Sequence, residues 1–268
     1  MLRLIGIFLC FAYASQVNAA RLPQWELGLA AGYVKLPYYR GAASARDIVL
    51  PLPLVIYREK AKDARRTFLG SKRVSWALSL GATLPVPEGD AVVARSGMPG
   101  LDATLEFGPG LNISLWKSGG HHVSAVLPSR LVNAVSFSRI AYQGWKVSPY
   151  LLYSYQKQGK NGWKFQIAAG PVYAAKAYHD YYYAVDLSSV RNKRRFFETK
   201  QGYSGSRISL YGQKRFNRLW LSAFARVDIL SGAVFEGSPL LERKTSIITG
   251  FVIGWVFKKS PNRIYVDD

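Results

Sequence analysis

The sequence predicts an all-β protein: an antiparallel transmembrane β-barrel of ten spanning strands. Three observations predict it, namely an export signal at the start, long stretches that alternate apolar and polar residues, and no later helix-like apolar run. Period-two alternation gives a strand one apolar and one polar face. Residues 101–116, LDATLEFGPGLNISLW, alternate throughout. Strands of soluble domains usually stop after about 5–6 residues, so a strand this long asks for a wall that spans something.

The first element is the signal, MLRLIGIFLCFAYASQVNAA. Arg3 precedes an apolar core from Leu4 to Ala14, and Val17-Asn18-Ala19 is a small-residue site suited to signal peptidase. The expected division is residues 1–19 as a cleaved signal peptide and 20–268 as one barrel domain with a short C-terminal tail. Cys10 lies in the apolar core of the signal, so the mature chain has no cysteine and needs a stabilising device other than disulfides. No later segment approaches the roughly 18 consecutive apolar residues of a transmembrane helix.

The alternating segments then follow in order. Residues 25–35 and 46–58 come first; in 73–84, Val74, Trp76, Leu78, Leu80, Ala82 and Leu84 share one face. In 101–116 the odd positions are apolar, while Asp102, Thr104, Glu106, Asn112 and Ser114 take the other side. The faces of 121–133 are nearly equally apolar, and 146–156, 163–173, 206–216, 219–229 and 245–257 complete the set. Alternating segments of about 10 residues parted by turns are the signature of a transmembrane barrel, with the polar face lining a lumen.

Short links at 117–120, 157–161 and Asn217-Arg218 alternate with long ones at 85–100, 134–145, 175–205 and 231–244. Bacterial barrels keep short turns in the periplasm and long loops outside. Two short apolar pieces, Thr67 to Leu69 and Tyr181 to Val185, would raise the count to twelve. Prolines at 51, 53, 109, 128, 149 and 171 each remove a ladder donor and predict bulges or local openings. A soluble β-sandwich is the competing fold, opposed by the signal and the strand lengths.

The formal net charge of +20 points to an anionic partner. For an exported chain that means anionic lipid and lipopolysaccharide at a bacterial outer membrane, not nucleic acid. Arg191, Lys193, Arg194 and Arg195 in the longest loop are the candidate lipopolysaccharide-binding group, since guanidinium forks suit phosphate. Trp25, Trp163 and Trp255 read as an interfacial girdle. The run Tyr178, Tyr181, Tyr182 and Tyr183 offers either a girdle or a ligand-stacking surface.

Chemistry-bearing patterns are few. The three histidines, His121, His122 and His179, join no set with metal-ligand spacing, and neither a phosphate-cradling glycine loop nor a Gly-x-Ser-x-Gly elbow occurs. The expectation is no catalytic residues, no cofactor and no metal. A polar lumen network is expected instead from Glu106, Arg130, Arg207, Arg226 and Asp228. Arg130 on the lipid face would cost about 2–4 kcal/mol near mid-height, which turns it inward beside Glu106. A tight Asn217-Arg218 hairpin pairs Phe216 with Leu219 and, counting back, Arg207 with Asp228.

The residues ARSGMPGLDATLEFGPGL (94–111), LPSRLV (127–132), AAGPVYAAKAYHDYYYAV (168–185), GYSG (202–205) and GAVFEGSPLLE (232–242) resemble the MipA/OmpV family of outer-membrane proteins, with PYYRG (37–41) and LPLP (50–53) in keeping. The resemblance implies an outer-membrane barrel. In part of the family it also implies a scaffold that joins a murein lytic transglycosylase to a peptidoglycan synthase. Gly100 stands where the family often has Asp, Ala184 where it often has Gly, and Lys258 to Asp268 extend past the usual aromatic end. Two other function classes compete: a narrow channel for small solutes, suggested by Arg73, Lys164, Arg207 and Arg226, and a hydrolase or lipid A modifier with no nameable nucleophile.

Overall fold

In the computed structural model the described residues are 20–57, 73–157, 162–191 and 194–266. The signal sequence, Thr67 to Leu69 and Lys193 lie outside them. The main sheet has eleven antiparallel strands. They are β2 (Trp25–Pro37), β3 (Ala45–Tyr57), β4 (Val74–Thr83), β5 (Ala103–Ser118), β6 (His121–Val135), β7 (Ile140–Val147), β8 (Tyr150–Gln156), β9 (Trp163–Ala174), β10 (Gly202–Phe216), β11 (Leu219–Ile229) and β12 (Thr245–Lys259). β7 and β8 are two halves of one stave, both lying between β6 and β9, so the wall has ten staves. The order runs from β4 through β5 to β12, then to β2 and β3. The first long strand thus pairs with the last, and β3 and β4 are joined by residues 58–72, outside the described set.

The wall is turned inside out relative to a soluble domain. Leu29, Val49, Leu78, Phe107, Leu131, Leu210 and Ile253 are exposed on the outer face, as lipid contact requires. Glu106, Asn112, Ser124, Gln166 and Asp228 are buried on the inner one. Exposed Trp76, Trp116, Trp163, Phe216 and Trp255 ring the end that carries the tight turns, and Tyr142, Trp145 and Tyr173 flank the other. Trp25 shares the outer face, half-buried opposite Tyr57, whereas Trp220 shares the inner face with Ser222.

The ladder breaks near Pro149 and Pro171, as those prolines predict, whereas Pro51 and Pro53 stand in an unbroken β2–β3 register. Ser148-Pro149 separates β7 from β8. The β9–β10 register slips between Tyr203 and Ser206, opposite Pro171, where Gly205 adopts φ 94°. A third slip explains an error of length. The 134–145 link expected from sequence is only residues 136–139, because β7 already starts at Ile140. A bulge at Gly144 (φ 96°) shifts the phase of the outer face from Ile140 and Tyr142 to Trp145, which hides the strand from a strict alternation.

The second correction concerns Tyr181 to Val185, the piece that could have been an eleventh or twelfth strand. Lys176–Tyr183 is a helix, α1, and Val185 makes one bridge to Phe197. The C-terminal tail is also structured. β13 (Arg263–Val266) pairs with β1 (Ala20–Pro23), so these two segments meet beside the tight turns.

Candidate functional site: a plugged mouth above a lumen ion network

Five links meet at the loop end: 38–44, 84–102, 136–139, 175–201 and 230–244. Four of them and the adjoining strand ends share one apolar core, with Tyr39, Val92, Tyr183, Leu230 and Phe235 among its buried members. The Tyr183 and Phe235 rings stack at 3.8 Å and 4°. Full burial of side chains this size contributes about 1.5–3 kcal/mol each. The tyrosine run is therefore neither a girdle nor an open stacking surface. It is the centre of a plug.

Four phenols of the plug also find polar partners, as buried tyrosines usually do. Tyr39 donates to Leu240 O at 2.6 Å, Tyr183 to Arg40 O at 2.8 Å and Tyr181 to Asp102 O at 2.9 Å. The Tyr182 hydroxyl and Thr83 Oγ1 share a hydrogen bond at 3.1 Å, which ties α1 to β4. Burial pushes the Tyr181 phenol up to about 12 and moves Tyr39 and Tyr182 upward as well, so all three stay protonated. Gly144 lets α1 approach the wall, since a Cβ there would lie 2.6 Å from Ala175 Cβ.

His179 does not pair with Asp180. Its Nδ1 donates to Lys200 O at 2.6 Å, and its ring lies 5.0 Å from that of Phe235. Asp180 instead accepts from Lys176 at 2.8 Å and Thr199 at 2.7 Å. Successive side chains of α1 point about 100° apart around the helix axis, so the two adjacent residues find separate partners. Burial moves the imidazole down from its ordinary value, against the bond to Lys200 O.

Beneath the plug lie the lumen charges expected from sequence. The β10–β11 register pairs Phe216 with Leu219 and Arg207 with Asp228. Arg207 Nε donates to Asp228 Oδ1 at 2.8 Å and Arg226 Nε to Oδ2 at 3.0 Å. Arg130 faces inward, with Nη1 3.2 Å from Glu106 Oε2 and Nε 2.7 Å from Ser79 Oγ. Gly81 leaves room for that pair, since a Cβ would sit 2.7 Å from Glu106 Oε2.

Sequence reasoning missed two members. Lys146 of β7 bonds Glu106, and Arg40 of the 38–44 link reaches Asp228 Oδ1 at 3.4 Å. Lys146 was hidden by the bulge, whereas Arg40 stands in a link with no periodicity to read. The basic loop group divides. Arg194 is buried and donates to Ser189 O, Ala94 O and Ser96 O at 2.8–3.1 Å. Arg191 and Arg195 are exposed. Among the described residues no group of His, Cys, Asp and Glu could hold a metal ion.

A model of the family described as MltA-interacting protein MipA matches residues 27–257. The chain belongs to the MipA family. With the lipid-facing wall, that membership makes it an outer-membrane β-barrel protein. No curated protein matches it. Among solved structures it is similar to the NanC porin at 10% identity and TM-score 0.34, covering 87% of this chain and 99% of that one. It is similar also to OprG of Pseudomonas aeruginosa at 8% identity and TM-score 0.25, covering 90% and 99%. A Pseudomonas aeruginosa FadL homologue follows at 11% identity and TM-score 0.29, covering 79% and 61%. At these scores the likenesses carry no argument about function.

Proposed function

We propose that this MipA-family protein is a non-enzymatic scaffold of the cell envelope, joining a murein lytic transglycosylase to a peptidoglycan synthase. The observation that carries the reading is the plug, which occupies the loop end with an apolar core in place of an open mouth. The family description, MltA-interacting protein, supports it from the other side. The chain reaches the outer membrane through a signal peptide cleaved after Ala19, with the tight turns in the periplasm.

The docking face in this reading is the turn end. Arg73, Lys117, Lys157, Arg218 and Lys258 are exposed there, while the carboxylate of Glu26 is buried against Arg215. A cationic rim steers acidic surfaces toward it. Lipopolysaccharide contacts the opposite end through Arg191 and Arg195, Arg194 being committed to backbone carbonyls.

Crosslinking in intact cells followed by affinity purification tests the scaffold. A murein hydrolase and a synthase should be enriched over an unrelated barrel, and less so from the double variant Lys157→Glu, Arg218→Glu. Recovery of neither enzyme above background contradicts the reading.

A further inference from the structure

We propose that the lumen just beneath the plug is a binding site for a small phosphate-type oxyanion carrying two charges. The first observation is uncompensated charge. Asp228 is fully buried and meets three guanidinium groups, those of Arg207, Arg226 and Arg40. One carboxylate among three cations leaves two positive charges unbalanced. Glu106 opposes both Arg130 and Lys146, so the neighbouring cluster adds to the excess instead of cancelling it. Charges held away from bulk water are costly without a counter-charge.

The second observation is free donors. Arg40 is spent at its fork, Nη1 and Nη2 bonding Ser204 Oγ at 3.1 Å and Ser204 O at 2.6 Å, while its Nε lies buried 3.4 Å from Asp228 Oδ1 with no hydrogen-bond partner among the described residues. Arg207 and Arg226 are not: among the described residues each gives Asp228 only its Nε. Their side chains are 22% and 31% exposed, so the outer forks remain open to the lumen. Two parallel N–H donors on a planar fork match the oxygen spacing of phosphate better than an ammonium does.

Enclosure is the third observation. Tyr178 of α1 closes the site from above, with Lys146 Nζ 5.5 Å from its ring centroid. Access in this proposal is from the turn end, opposite the plug. A site shut on one side holds an anion rather than passing it through. Arg207 and Arg226 are its ligands, Asp228 fixes their orientation, and Arg40 adds field while its fork stays on Ser204. This inference rests on the plug and the ion pairs, not on any protein partner.

Isothermal titration of inorganic phosphate into the folded, full-length protein in detergent, at fixed low ionic strength, tests it. Saturable binding near one equivalent is expected, tighter than for succinate. Arg226→Gln should weaken it at least tenfold, Asp228→Asn should tighten it, and Lys200→Gln at the exposed loop end should leave it unchanged. Mobility on unheated gels verifies that each variant is folded, and Arg226→Lys replaces a glutamine variant that is not, with a weakening of severalfold expected. Absence of saturable binding to the wild-type protein overturns the site, as does equal loss in Lys200→Gln. Succinate binding more tightly than phosphate overturns the ligand class.

Discussion

The wall and the plug obey opposite burial rules within one chain. In the wall Leu78, Phe107 and Ile253 face outward and Glu106 and Asp228 are hidden. In the plug Tyr183, Phe235 and Leu240 are fully buried, while Arg191 and Arg195 are exposed. The wall faces lipid and can show it apolar surface freely. The plug faces water and needs a core of its own, as a soluble domain does. The same tyrosine that would sit at a membrane interface in a strand therefore becomes a core residue in a loop.

That contrast can be broken at either side. The largest effect is expected in the plug: Phe235→Ala removes the partner stacked on Tyr183 and should destabilise the plug by about 3–5 kcal/mol. Hydrogen exchange should show residues 175–191 and 230–244 opening while β10 and β11 stay protected. Equal loss of protection in the wall would mean that the two regions form one cooperative unit. Next, Leu210→Arg places a cation on the lipid face and should cost about 2–4 kcal/mol, read from urea unfolding in lipid vesicles. The same change on the inner face, Ser209→Arg, should cost less. If the order reverses, the assignment of faces fails.

A smaller effect is expected where wall and plug touch. Gly144→Ala forces a side chain into φ 96° and against Ala175 Cβ, and a left-handed backbone alone costs an L-residue about 1–2 kcal/mol. Faster proteolysis after α1 should report it, with unchanged barrel mobility on unheated gels. The smallest effect carries a sign. Because burial lowers the His179 pKa, the unfolded plug binds the extra proton first as pH falls. Arg40 acts in the same direction and Asp180 against it. Plug stability should be complete above the ordinary histidine value of 6.5 and decline below it, and His179→Asn should flatten the decline. Exchange rates of α1 amides that stay constant from pH 7.5 to pH 5, after correction for intrinsic rates, would remove His179 from the account.

How much of this was legible in the sequence follows from the same contrast. Every spanning segment named from alternation is part of the wall, and the β10–β11 hairpin register was fixed by one two-residue turn, because a single slip would invert each face. Ion partners facing each other across that hairpin, Arg207 and Asp228, were therefore readable. Lys146 was not, since the Gly144 bulge moves it out of phase with Tyr142, and Arg40 sits in a link where no period exists. The plug was illegible for a deeper reason. Tyr181 to Val185 read as a short strand and the tyrosine run as girdle or stacking surface, and only contacts with Phe235 and Tyr39, distant in the chain, exclude all three. The inner face of β3 also departs from the polar lumen expected. Ile48, Leu50, Leu52 and Leu54 lie there half-buried, and Leu54 reaches Gly254, where a Cβ would meet it at 3.2 Å.

Ionic current through single insertions in a planar bilayer tests most directly whether the loop end is closed. The plug held by Tyr183 and Phe235 predicts no discrete steps above the bare-membrane leak over many insertions of the wild-type protein, and steps appearing in Phe235→Ala. Regular open steps from the wild-type protein, unchanged in the variant, would contradict a closed mouth and the scaffold reading that rests on it.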